Sequence, residues 1–138
     1  MVEGLVLYTN GKCEVRDLRE SDYRNVVRGF FEMLPSEDGY VDPQKRKVRS
    51  RPRLTCIVNE EGALHNMESN PYSVVLSLLG IRVHPTHVIY GNVIVFSEGK
   101  NREKTIDPYI VKLFDDYNAC ENKDEFYEAL AVLNKREN

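Results

Sequence analysis

Disulfide chemistry, membrane insertion and the common phosphate- and acyl-handling motifs are all missing from this 138-residue chain. Its three cysteines, Cys13, Cys56 and Cys120, are odd in number and widely spaced, which suits neither a disulfide framework nor a Cys-x-x-Cys metal knuckle. They read as reduced thiols. The longest apolar stretch, around Val74 to Ile81, is broken by Ser77 and Gly80 and falls far short of the roughly 20 residues a membrane span requires. Met1 to Tyr8 carries no basic residue before its apolar run and meets Asn10-Gly11 too early for a signal peptide. An intracellular protein, cytoplasmic by default and not bound to a membrane, is therefore expected. There is no Gly-rich phosphate loop, no Gly-x-Ser-x-Gly elbow and no His-Glu-x-x-His. Internal repeats and low-complexity tracts are absent as well.

What remains is the composition of a folding domain. Hydrophobic residues make up 41% and charged residues 30%, with eight Tyr and five Phe available to fill an interior. A chain of this length buries roughly two-thirds of its unfolded surface around one core, so a single domain over 1–138 is expected.

The periodicity places the elements. Val2 to Tyr8 and Cys13 to Leu18 read as a hairpin joined around Asn10-Gly11. Tyr23, Val26, Val27, Phe30, Phe31 and Leu34 fall on one helical face, which predicts a helix from an N-cap at Ser21 to Pro35. Ser36 to Arg53 reads as a long basic loop. Leu54 to Val58 is a compact strand, and Ala63 to Asn66 a second short one. Asn70-Pro71 and Gly80 bracket a short apolar helix, and Val88 to Phe96 gives the strongest strand signal despite Gly91-Asn92. Asp107-Pro108 opens a helix with Ile110, Leu113, Phe114 and Tyr117 on one face. A last helix, capped by Asn122 with Glu125, has Phe126, Ala129, Leu130 and Leu133 as its apolar stripe. The expected class is α+β: a mainly antiparallel sheet packed by helices on one face, with a C-terminal helical hairpin over 105–135.

Chemistry-bearing residues are few. Six of the nineteen lysines and arginines, Lys45, Arg46, Lys47, Arg49, Arg51 and Arg53, crowd into nine positions without an acid, leaving thirteen bases against twenty-two acids elsewhere. Such a segment serves as a solvated loop, neutralises nucleic-acid phosphates, or acts as a docking or nuclear-import signal in a eukaryotic host. Tyr40, expected to be exposed beside it, is a base-stacking candidate. His84 and His87 flank Pro85-Thr86 with spacing that suits a shared ion, but no third ligand is near, so turn histidines and no metal or cofactor are expected. Cys56 is a conceivable nucleophile and more readily a small apolar strand residue. Glu60-Glu61 and Asp115-Asp116 are adjacent pairs whose side chains point apart, which suits solvated surface rather than an acid/base dyad.

The run Cys56-Ile57-Val58-Asn59-Glu60-Glu61-Gly62-Ala63-Leu64, with Asn66, Asn70-Pro71 and Val88-Ile89-Tyr90-Gly91-Asn92-Val93-Ile94, resembles a small domain family of unknown function found in phages, other viruses and mobile elements. The likeness covers about residues 13–97. It implies an α+β fold and an accessory role in such a setting, for instance binding a host protein, and carries no catalytic residue onto this chain. The basic loop and the helices after Thr105 depart from that family's compact pattern. Three functions follow in order: a non-enzymatic accessory protein that binds a partner protein, a nucleic-acid binder using the basic loop, and a small enzyme using Cys56 or His84 and His87.

Overall fold

The computed structural model describes residues 2–37, 39–40, 53–82, 88–98 and 104–135. Five strands run in the order β2-β1-β5-β4-β3, all antiparallel: β1 (Val2–Leu7), β2 (Cys13–Leu18), β3 (Phe31–Pro35), β4 (Arg53–Asn59) and β5 (Val93–Glu98). A two-residue strand, β6 (Lys104–Thr105), pairs with Ser97 and Glu98 of β5, beyond the point where β1 leaves that edge. With helices α1 (Glu20–Val27), α2 (Ser73–Leu78), α3 (Pro108–Ala119) and α4 (Lys123–Lys135), the class is α+β. Among the described residues no helix is long and apolar enough to cross a membrane.

Alternation along the strands splits the interior in two, because successive side chains point to opposite faces. Leu5, Leu7, Leu54, Cys56, Val58, Val93 and Val95 face α2, α3 and α4. Val6, Ile57, Ile94 and Phe96 face α1 through Tyr23, Val26 and Val27. Helices thus cover both faces, where a single covered face was expected. A central strand buried on both sides reads as continuous apolar sequence, and that is how Val93-Ile94-Val95-Phe96 reads.

Several boundaries differ from expectation for identifiable reasons. The first helix ends at Val27, not at Leu34: Arg28 turns left-handed (φ 63°) and Gly29 follows. Phe31–Pro35 then forms an edge strand paired to Thr55–Asn59, a place where proline's missing N–H is tolerated. The apolar spacing that suggested more helix is satisfied instead by Phe31 packing edge-on to Tyr23, with centroids 5.4 Å apart. The N-cap is Arg19, whose N–H donates to the Asp22 carboxylate at 2.8 Å, rather than Ser21. Residues Glu61 to Asn66 are turns, not a strand. The strand expected from Val88 begins only at Val93, since Gly91 sits at φ 90°, a conformation open mainly to glycine. Ile89 and Tyr90 instead join Asn70 and Ser69.

Asn70 is the fastener of this region. Its buried amide donates to the carbonyls of Leu7 and Gly91, each at 3.0 Å, and its Oδ1 accepts the N–H of Tyr72. One side chain thereby joins β1, the approach to β5 and the start of α2. The signals for the last two helices hold: Asp107 accepts the N–H of Tyr109 at 2.9 Å with Pro108 at the first turn, and Asn122 accepts the N–H of Glu125.

Candidate functional site

Two concavities stand out among the described residues, one apolar and one polar. The apolar groove, of about 250 Å³, lies between α3 and α4. Tyr109, Lys112, Leu113 and Asp116 line it from α3, and Phe126, Ala129, Leu130 and Leu133 from α4. Each set follows the i, i+3, i+4, i+7 spacing of one helical face.

Its existence follows from how the helices are tied. At the turn end, Tyr117 packs on Phe126 and Tyr127, with centroids 5.2 and 5.8 Å apart, and its hydroxyl meets that of Tyr127 at 2.8 Å. Lys123 closes the turn by donating to the Tyr117 carbonyl and resting over that ring. Burial first, and then the neighbouring Tyr127 hydroxyl, push the Tyr117 phenol well above its usual range. At the far end, α4 is tied to α2 instead: Asn134 donates to the Leu78 carbonyl at 2.8 Å, satisfying a helix-end acceptor. Pinned to α3 at one end and drawn to α2 at the other, α4 leaves its outer apolar face partly bare. Ala129 is exposed, Leu133 is half-buried, and Val132 beside them is 53% exposed.

The polar cleft, of about 500 Å³, is built from loops and bordered by Thr9, Arg28, His65, Asn66, Glu68 and Asn92, among others. Both non-glycine residues with positive φ among the described residues, Arg28 and Asn66, lie on it. Two asparagines fix its floor by capping the end of α1: Asn92 donates to the Val26 carbonyl at 3.1 Å and Asn59 to the Val27 carbonyl at 3.0 Å. His65 pairs with Glu61 at 3.0 Å on the exposed rim.

The residues singled out from sequence fare differently. Tyr40 is not exposed: it is 1% accessible, and its hydroxyl donates to Asp107 at 2.6 Å while its ring stacks near Tyr109, centroids 6.1 Å apart. A ring held in that core cannot stack a base, so its place in a base-binding surface is corrected. Arg53 opens β4 and is exposed. Lys45, Arg46, Lys47, Arg49 and Arg51, like His84 and His87, lie outside the described residues. Cys56 is completely buried in β4, and burial drives its thiol far above the normal range, the reverse of what a thiolate nucleophile needs. Cys13 is half-buried, with its thiol raised by burial and then by Asp115.

Sequence reasoning recognised the apolar faces of α3 and α4, read the stripe of α4 as buried, and offered the C-terminal helices, beside the basic loop, as a contact surface without locating a groove. The groove was signalled only by the breadth of α4's stripe, which extends through Val132. No motif in the sequence marks the polar cleft, whose lining comes as short runs, Val27-Arg28, His65 to Glu68 and Gly91-Asn92, together with Thr9, from segments far apart in the chain. No family model, no curated protein and no solved structure matches the chain.

Proposed function

We propose that this chain is a non-catalytic accessory protein that binds a partner protein, and that the α3/α4 groove receives one amphipathic helix of that partner. The observation that carries this reading is the groove itself. Two helical faces, Tyr109-Lys112-Leu113-Asp116 and Phe126-Ala129-Leu130-Leu133, converge on a trough of about 250 Å³. A third helix fits such a trough by setting its own apolar ridge between the two, the helix-in-groove mode of recognition. Val132, Ala129 and Leu133 supply surface that is costly to leave in water. The resemblance to phage, viral and mobile-element domains supports a host protein as the source of the helix.

The test is an NMR titration of the labelled protein with a synthetic helical peptide bearing an apolar i, i+3, i+4, i+7 stripe and glutamine elsewhere. Saturable shifts at Leu113, Ala129 and Leu133, abolished in the Ala129→Glu variant, are the expected result. Ala129 is exposed, so that variant should fold. Shifts confined to other surfaces, or none at all, would overturn the reading.

A further inference from the structure

The two outer strands of the sheet, β2 and β3, leave unlike edges. Along an antiparallel pair, residues that exchange backbone hydrogen bonds with their opposite number alternate with residues that turn those groups away. The Tyr8 N–H donates to the Lys12 carbonyl at 2.9 Å, and the pairing then runs in register from Leu7 opposite Cys13 to Val2 opposite Leu18. Glu14, Arg16 and Leu18 are therefore bonded to β1, while Cys13, Val15 and Asp17 turn their N–H and C=O groups outward. The Leu7 carbonyl, opposite Cys13, bonds to Asn70 rather than to β2, as the alternation requires. On β3 the Ser36 N–H donates to the Leu54 carbonyl at 2.8 Å, so Phe31, Met33 and Pro35 are the outward residues. Pro35 has no N–H to offer, which blunts that edge.

The edge of β2 contains no proline and is open. Glu14, Val15, Arg16 and Asp17 are all exposed, Val15 by 44%. Charges ordinarily discourage edge pairing, but here they match a second copy of the same strand. Laying two copies antiparallel with Val15 opposite Val15 sets outward groups against outward groups and places Glu14 opposite Arg16 twice. Sliding by two residues, the smallest step that keeps the hydrogen-bond pattern, sets Glu14 against Glu14 or Arg16 against Arg16. Within each copy Glu14 and Arg16 lie 3.8 Å apart and both reach the Tyr8 hydroxyl, so the two pairs close a ring of four charges on one face. Val15 meets Val15 on the other. One contact opposes this register: Asp17 falls opposite Cys13, whose thiol faces Asp115 at 3.7 Å.

We infer that two copies of this chain associate edge to edge through β2, antiparallel and centred on Val15, and so join their sheets into one. Backbone hydrogen bonds at Cys13, Val15 and Asp17 supply the attraction, and the Glu14–Arg16 pairs fix the register. The interface is narrow, so the dimer is weak and depends on concentration. It uses neither the groove nor the basic cluster.

Sedimentation velocity of the whole chain, over a series reaching about 1 mM to suit a small interface, should show a monomer–dimer equilibrium. Amide exchange at Cys13, Val15 and Asp17 should slow as concentration rises, while Glu14 and Arg16, already bonded to β1, stay unchanged. Glu14→Arg and Arg16→Glu, each checked by its melting temperature, turn two opposite-charge pairs into two like-charge pairs. Each should weaken self-association roughly tenfold or more, and an equimolar mixture of the two should restore it, because the variants attract each other across the same register. Asp17→Asn should tighten the dimer. Val15→Pro, which removes only an outward N–H, should abolish it. A monomer at every concentration, a mixture no better than either variant alone, or protection confined to other residues would overturn the inference. So would a dimer that Ala129→Glu dissociates, which would place the second copy on the groove.

Discussion

The hydroxyl of Tyr40 donates to the carboxylate of Asp107 at 2.6 Å, and the same carboxylate caps α3 by accepting the N–H of Tyr109 at 2.9 Å. Ser97, at the end of the central strand, completes the knot by accepting the N–H of Asp107 at 3.0 Å. The chain leading into the basic cluster is therefore anchored at the start of the helix that forms one wall of the groove. Tyr40→Phe keeps the ring and removes the donor. It should lower unfolding stability by about 1.5–3 kcal/mol, the worth of a hydrogen bond to a charged group, measured by urea denaturation. Because the ring is buried, any binding of nucleic acid by the basic cluster should be the same in Tyr40→Phe and the parent; a large loss of such binding in the folded variant would contradict the placement of Tyr40.

Asn70 predicts a larger effect. Asn70→Ala strands the carbonyls of Leu7 and Gly91 and the N–H of Tyr72 in a buried site. With each orphaned group costing about 1–3 kcal/mol, a loss of roughly 3 kcal/mol or more in unfolding free energy is expected, accompanied by faster amide exchange at Tyr72. A loss under about 1 kcal/mol would mean that water replaces the side chain.

What was legible in the sequence was what local chemistry decides. Asp107-Pro108 and Asn122 with Glu125 announced the last two helices, because caps act within one turn. Val93 to Phe96 announced a buried central strand. Tertiary competition decided the rest. Phe31 and Leu34 kept helical spacing with Tyr23 and Val27, yet pairing with β4 won them for an edge strand once Arg28 and Gly29 ended the helix. Tyr40 looked exposed because polar and basic sequence surrounds it, while the partners that bury it, Asp107 and Tyr109, lie more than sixty residues away. The groove escaped notice for a similar reason. Periodicity shows that Ala129 and Leu133 share a face, but only the tie between Asn134 and Leu78 shows that α3 does not cover it.

Close packing across the sheet gives a steric prediction. A Cβ added at Gly4 would lie 2.8 Å from Cε1 of Phe96 and 3.0 Å from Cγ2 of Ile94, both completely buried. Neither neighbour has room to retreat, so Gly4→Ala should destabilise by about 1–3 kcal/mol through overpacking. The paired variant Gly4→Ala/Phe96→Leu should recover part of that loss relative to Phe96→Leu alone. Strict additivity in a double-mutant cycle would contradict the contact.

The thiols differ in access, and Ellman titration should separate them. Cys13 and Cys120 are half-buried and Cys56 is enclosed in the sheet. Two equivalents should react in the native protein, the third only on unfolding, and Cys13 more slowly than an ordinary thiol because its burial and Asp115 disfavour the thiolate. Rapid native reaction of all three would show that β4 opens readily.

Alkaline pH should weaken the fold, and the sign follows from the direction of the shifts. Burial raises the thiols of Cys13 and Cys56 and the phenols of Tyr8, Tyr23, Tyr72 and Tyr117. Each group is neutral when protonated, so a raised value means that the folded state holds the proton more tightly than the unfolded chain does. The stability this contributes is complete below the unfolded values, about 8.5 for thiols and about 10 for phenols. It is lost as pH climbs from those values through the folded ones, because the unfolded state then sheds protons that the native state retains. The melting temperature should therefore decline from about pH 8.5 and more steeply beyond about pH 10, with Cys56→Ala removing part of the earlier decline and leaving the later one. A melting temperature that stays flat from pH 8 to 11 would contradict the burial of these groups.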